Sequence, residues 1–92
     1  MLGNKFPVSD YYRENILDAY TISRGGNWWS ALLVIADPKS GTPFLGLYRW
    51  QNSAGTWKTR NRFLIRKKSD VQTIIHQLDA FAKHLPDGPA ES

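Results

Sequence analysis

Trp50-Gln51-Asn52-Ser53-Ala54-Gly55-Thr56-Trp57-Lys58-Thr59-Arg60-Asn61-Arg62-Phe63-Leu64-Ile65-Arg66-Lys67-Lys68 is the stretch on which the reading of this chain turns. An aromatic residue closes one strand, Asn52-Ser53-Ala54-Gly55 supplies turn chemistry, and the chain returns as a second strand rich in cations. Side chains at i, i+2 and i+4 of a strand share a face, so Lys58, Arg60 and Arg62 are predicted to line up on one side. The stretch holds six of the twelve Lys+Arg of the chain and no acid. Its parity leaves Trp57 open: an unbroken register turns it toward the core with Phe63 and Ile65, whereas a bulge within Thr59–Asn61 turns it outward.

Working upstream, Pro43–Trp50 alternates Phe44, Gly46, Tyr48 and Trp50 against Leu45, Leu47 and Arg49. The leucine side is predicted to face the core, leaving the glycine and aromatic side for contact, with Gly46 removing a side chain where something flat can approach. Asp37-Pro38-Lys39-Ser40-Gly41-Thr42 is a turn, and Trp28–Ala36 is β-branched and aromatic enough for another strand. Gly25-Gly26-Asn27 tolerates the positive φ of a tight hairpin and follows a first strand running from Leu17 to Arg24. Trp28 and Trp29 are adjacent, so one faces each side of the sheet, one as core and one as a candidate platform. Met1–Asn15 is predicted to be an arm or short element, with Ser9, Asp10 and Glu14 able to start a helix.

Downstream, Ser69 with Gln72 three residues on has the capping-box pattern. Val71, Ile74, Ile75, Leu78, Phe81, Ala82 and Leu85 follow at helical spacing, ending before Pro86. This stripe is wider than one sheet needs, and its surplus suits a partner helix. The predicted class is α+β: a curved four-stranded antiparallel sheet and one C-terminal amphipathic helix, with the domain at 16–86 and a disordered tail at 87–92.

Ninety-two residues make one domain, near the size where dimerisation is a common source of stability. A hydrophobic content of 41% excludes wholesale disorder. No run approaches the roughly 18 apolar residues of a membrane helix, and no export signal precedes the domain, so a soluble, intracellular protein is expected. The absence of cysteine excludes disulfides and cysteine-based zinc sites. His76 and His84 lie eight residues apart without a supporting ligand set, so no metal, cofactor or catalytic role is assigned.

Charge is segregated. Tyr20–Lys68 carries nine Lys+Arg against the single acid Asp37, together with eight of the twelve aromatic residues. Cations interleaved with rings are what a single nucleic-acid strand requires, phosphates meeting the charge and unstacked bases meeting the flat faces. The candidate ligands are Lys39, Arg49, Lys58, Arg60 and Arg62, with Trp29, Tyr48, Trp50 and Trp57 as candidate rings.

Four strands, then one helix, with the basic strand directly before it, resemble the positive-cofactor-four family of transcription coactivators and their bacterial and phage relatives. The resemblance rests on Trp50 ending the third strand, Gly55 in the turn, Lys58 after it, the Arg60-Asn61-Arg62 group and Phe63-Leu64-Ile65 before the helix. Asp37-Pro38-Lys39 falls where that family has a hairpin carrying an aromatic residue and a lysine. The likeness spans about Tyr20 to Leu85. It departs at Pro38, which replaces the hairpin aromatic, and at Leu47, which stands for a strand arginine. The resemblance implies a homodimer joined in part through Ile75, Leu78 and Phe81, and a curved sheet that holds single-stranded DNA with low sequence specificity. It implies work in replication, recombination, repair or transcription, in the cytoplasm or nucleoid of a bacterial or phage-infected cell. RNA or partly melted duplex stays open as a ligand, as do transcription or replication proteins as partners. The alternative is a coactivator-like interaction module whose basic hairpin meets an acidic protein.

Overall fold

The computed structural model describes residues 6–87. Four antiparallel strands, β1 (Ile16–Gly25), β2 (Trp28–Ala36), β3 (Pro43–Ser53) and β4 (Thr56–Ile65), form one sheet in chain order. One helical turn, α1 (Asp10–Arg13), precedes them, and α2 (Lys68–Phe81) follows, running into a 3₁₀ turn at Ala82–His84. The expected four strands and C-terminal helix are therefore present in the expected order. Residues 1–5 of the predicted arm and 88–92 of the predicted tail lie outside the described residues. No helix among the described residues is long and apolar enough to cross a membrane.

The turns follow from local chemistry. Gly26 sits at φ +57 between Gly25 and Trp28, which pair directly. At the β3–β4 turn both Ala54 (φ +55) and Gly55 (φ +83) take the left-handed conformation of primed hairpin turns. Asn52 supports this turn, its Oδ1 accepting the Gly55 N–H at 3.1 Å. In the β2–β3 connection, Asp37 Oδ1 accepts the N–H groups of Lys39 and Ser40. Those bonds favour the ionised carboxylate and hold the Asp37 pKa below its ordinary value, with the Arg66 and Lys39 charges adding to the effect.

β2 throughout, and β3 from Phe44 to Gln51, alternate between buried and half-buried residues, and the direction of that alternation corrects an expectation. The aromatic side is the core: Trp29, Ala31, Leu33, Ile35, Phe44, Tyr48 and Trp50 are buried together, while Leu32, Val34, Leu45 and Leu47 are only half-buried on the other side. The reason lies in the N-terminal arm, where Phe6, Val8 and Tyr12 pack onto the aromatic side. Phe6 lies 5.2 Å from Trp29 and 6.1 Å from Trp50, ring centre to ring centre, and Tyr12 meets Phe44 edge-on at 5.7 Å. Large rings bury about 150–250 Å² each, so covering this side removes more apolar surface from water than covering the leucines would. Gly46 serves the same packing. A Cβ there would stand 2.7 Å from Tyr48 Cε1, so the flat group that approaches the glycine is the protein's own Tyr48 ring.

α2 begins two residues earlier than its cap pattern implies. Lys67, extended at φ −120 and ψ 140, holds the N-cap position without a side-chain bond, and Ser69 lies inside the first turn with its carbonyl accepting Thr73 Oγ1–H. The basic run emerges from β4 already extended and enters the helix before Ser69 is reached, so no capping box forms. Asp70 in the first turn places a negative charge where the helix dipole favours it. Val71 and Ile74 are half-buried beside the end of the sheet, but Ile75 (56% exposed), Leu78 (63%) and Phe81 (59%) are uncovered.

Candidate nucleic-acid interface

Antiparallel pairing brings the β1–β2 and β3–β4 turns to one end of the sheet, where Asn52 N–H donates to the Asn27 carbonyl at 2.7 Å. Most of the cations with ring partners gather there. Arg24 places its guanidinium carbon 4.0 Å from the Trp29 ring centre and 5.4 Å from that of Trp57. Arg49 lies 3.7 Å over the Trp28 ring and donates to Asn61 Oδ1 at 3.5 Å. Arg60 donates from Nε to Gln51 Oε1 at 2.9 Å, and Lys58 is exposed opposite Gln51. The partners of Arg49 and Arg60 are neutral amides, so both guanidinium charges stay uncompensated. Among the described residues the one ion pair is Arg13–Asp10, on α1.

The three cations of β4 do not share a side as predicted. The register shifts between Arg49 and Trp50, opposite Asn61 and Thr59, which leaves Arg60 as the bulged residue. Lys58 therefore stands opposite Gln51, and Arg60 bonds that same glutamine, on the leucine side, while Arg62 stands opposite Tyr48 on the aromatic side. The bulge also settles Trp57, although not as the simple alternatives had it. Trp57 pairs with Asn52 on the aromatic side and meets Trp29 edge-on at 5.6 Å, half-buried at the rim of the core.

The predicted rings fare differently. Trp50 is fully buried and Trp29 is 5% exposed, so neither is an open stacking platform in this structure; Tyr48, stacked on Trp50 at 5.5 Å and 19°, is buried as well. Trp28 is the half-exposed member of its pair, the reverse of the expected assignment to Trp29. Lys39 sits in the β2–β3 turn, at the opposite end of the sheet from Lys58, and shares that end with Arg66, Lys67 and Lys68. The structure thus divides the predicted cations into two groups and does not bring Lys39 to the hairpin.

Two residues of the interface were missed as a pair with the rest. Arg24 was legible in principle, because the two-residue turn Gly26-Asn27 dictates that it falls opposite Trp29. Trp28 needed only the correct choice of buried face. On the leucine side an open groove of about 530 Å³ reaches Arg49, the residue that covers Trp28, and is lined also by Ile22, Ser30, Leu47, Asn61, Arg62 and Phe63. Its apolar floor and cationic rim are chemically suited to a flat, anionic chain.

Burial pushes the Tyr48 phenol above its ordinary pKa, an effect the neighbouring Arg62 charge partly offsets. Neither Tyr48 OH nor Trp50 Nε1 finds a hydrogen-bond acceptor among the described residues. Among the described residues no group of three His, Asp or Glu is placed to hold a metal ion. In comparisons with family models, with curated proteins and with solved structures, nothing matches the chain.

Proposed function

We propose that this chain binds single-stranded nucleic acid, DNA first, through the turn-bearing end of its sheet, as a member of the positive-cofactor-four type and with low sequence specificity. The observation that carries this reading is the uncompensated charge at this end of the sheet: Arg24 lies over Trp29 and beside Trp57 on one side, Arg49 lies over Trp28 with Lys58 and Arg60 flanking Gln51 on the other, and among the described residues none of the four forms an ion pair with a carboxylate. A surface serving solubility alone would mix its signs. A strand's phosphates neutralise these cations while its bases stack on the half-exposed rings and on the guanidinium planes. Such a role belongs inside the cell, where strands are opened for replication, recombination, repair or transcription.

The working form in this reading is a homodimer. The half-buried aliphatic side of the sheet, with Phe63 (57% exposed) at its edge, and the uncovered stripe of α2 are two apolar surfaces of one chain that do not cover each other. A second copy offers each surface the counterpart it lacks, in the reciprocal manner of a two-fold interface.

Fluorescence titration tests the reading, because stacked bases quench tryptophan. Binding to oligo-dT is expected to weaken with salt by about 0.7 log units per log unit for each neutralised phosphate, and Arg60→Ala or Lys58→Ala should each lower that slope by about one phosphate's worth. Blunt duplex, whose bases are not free to stack, should bind more weakly. Equal affinity for duplex and single strand would remove the proposal, and salt-insensitive capture of an acidic protein without oligonucleotide binding would put the interaction-module reading in its place.

A further inference from the structure

We infer that residues 6–14 form an intramolecular competitor, with Phe6 occupying the place on Trp29 and Trp50 that a nucleobase of the bound strand takes once the arm lifts. This rests on the single-strand reading and adds to it a second, latent binding surface under internal control. Three observations converge. The first is the way the arm is held. Its hydrogen bonds are its own: Val8 N–H to the Phe6 carbonyl at 2.9 Å, Tyr12 N–H to the Ser9 carbonyl at 3.1 Å, Asn15 N–H to the Tyr12 carbonyl at 2.9 Å and Arg13 Nη2 to the Val8 carbonyl at 3.4 Å. The first bonds to the sheet come at Asn15, which exchanges two with Ala36. Up to that point the arm rests on the sheet through apolar contact alone, so it can lift as a unit about Asn15 without breaking a hydrogen bond to a strand.

The second observation is what lies beneath. Trp29, Trp50 and Tyr48 form a continuous floor of rings, with Trp29 and Trp50 5.0 Å apart and Tyr48 stacked on Trp50. Phe6 lies tilted 30° and 36° to the two indoles. The third is chemical. The phenyl ring of Phe6 offers no acceptor to the floor, and two of the floor's donors, Trp50 Nε1–H and Tyr48 O–H, find no acceptor among the described residues. A nucleobase is a flat ring of the same kind with nitrogen and oxygen acceptors on its edge, so it replaces the stacking of Phe6 and supplies the missing acceptors. The Arg24, Arg62 and Trp57 side chains border this same side, so a strand held by the open cations is already adjacent to the covered floor.

The equilibrium consequence is that apparent affinity is lowered by the fraction of molecules whose arm is lifted. With a minor state in the usual range of about 0.1–10%, removing the competitor tightens binding by at least about tenfold. The test uses the full chain as wild type, Phe6→Ala, Phe6→Leu and, as a destabilised control away from the arm, Ile65→Val. Each is titrated with oligo-dT while tryptophan emission is recorded, and circular dichroism reports folding. Phe6→Ala is expected to bind at least about tenfold more tightly with deeper quenching, Phe6→Leu to fall between it and wild type, and Ile65→Val to match wild type. If Phe6→Ala does not fold, Phe6→Leu decides, since it keeps apolar bulk and loses only the ring. Wild type that binds, with Phe6 variants that bind no more tightly than Ile65→Val, overturns the competitor and leaves the open basic surface standing. Absence of oligonucleotide binding by every variant overturns the single-strand reading itself and the competitor with it.

Discussion

Alternate residues of the same strands meet opposite fates in this molecule. On one side of β2 and β3, rings from three strands and from the arm close into a core in which Trp50 is fully buried. On the other, Leu32, Val34, Leu45 and Leu47 remain half-exposed, Tyr20 is 73% exposed, and the stripe of α2 turns away uncovered. The ringed side has more apolar surface to lose, but both sides are apolar, so composition alone does not seal one and leave the other open. The difference arises because the arm supplies a cover to one side, whereas α2, the other apolar element among the described residues, reaches no farther over its own sheet than Val71 and Ile74. One side is sealed by the arm; the other is left partly exposed by the described residues.

That contrast can be broken by mutation. The largest effect is expected from Trp50→Ala, which should cost about 3–5 kcal/mol in chemical denaturation, whatever the protein concentration. Leu47→Ala should cost only about 1–2 kcal/mol, since part of its surface is already in contact with water, and its cost should change with protein concentration if a second copy covers it. Equal, concentration-independent costs would abolish the distinction between the sides. Gly46→Ala comes next: its Cβ is forced against Tyr48 Cε1, and a loss of about 1–3 kcal/mol is expected. Ser30→Thr, an added methyl group on the open side, should stay within about 0.5 kcal/mol. Thermal melts of the two variants, compared at one concentration, test this directly.

An effect confined to high pH sharpens the contrast chemically. Tyr48→Phe removes a buried hydroxyl that finds no acceptor among the described residues, so stability at neutral pH should change by no more than about 1 kcal/mol. Its signature lies at high pH. The folded-state pKa of Tyr48 is raised above the ordinary phenol value of 10.0, so its contribution is fully present below that value and is lost as pH rises toward and through the folded pKa. Wild type should therefore lose stability above about pH 10 more steeply than Tyr48→Phe. Parallel stability curves for the two proteins would show that the phenol titrates as it does in water.

Much of this was legible along the chain. Turn residues at Gly25-Gly26-Asn27, Asp37–Thr42 and Asn52–Gly55 delimit the strands, and helical spacing from Val71 onward marks α2. The choice of buried face was not legible, because strand alternation states only that two sides differ, and both sides of β3 are apolar. The decisive cover, Phe6, Val8 and Tyr12, comes from a segment whose own pattern carries no strand or long helix. The bulge at Arg60 was likewise invisible to parity counting, and it alone moved Lys58 and Arg62 to opposite sides.

By itself the amino-acid order determined the elements, their succession and the concentration of positive charge in the middle of the chain, since these depend on short-range dihedral preferences and on simple counting. Which side of the sheet is sealed, which tryptophan of the Trp28-Trp29 pair stays open, and which cations stand together were decided by tertiary structure alone. Burial depends on what arrives from distant parts of the chain to exclude water, and a register shift of one residue reverses the side of every group beyond it.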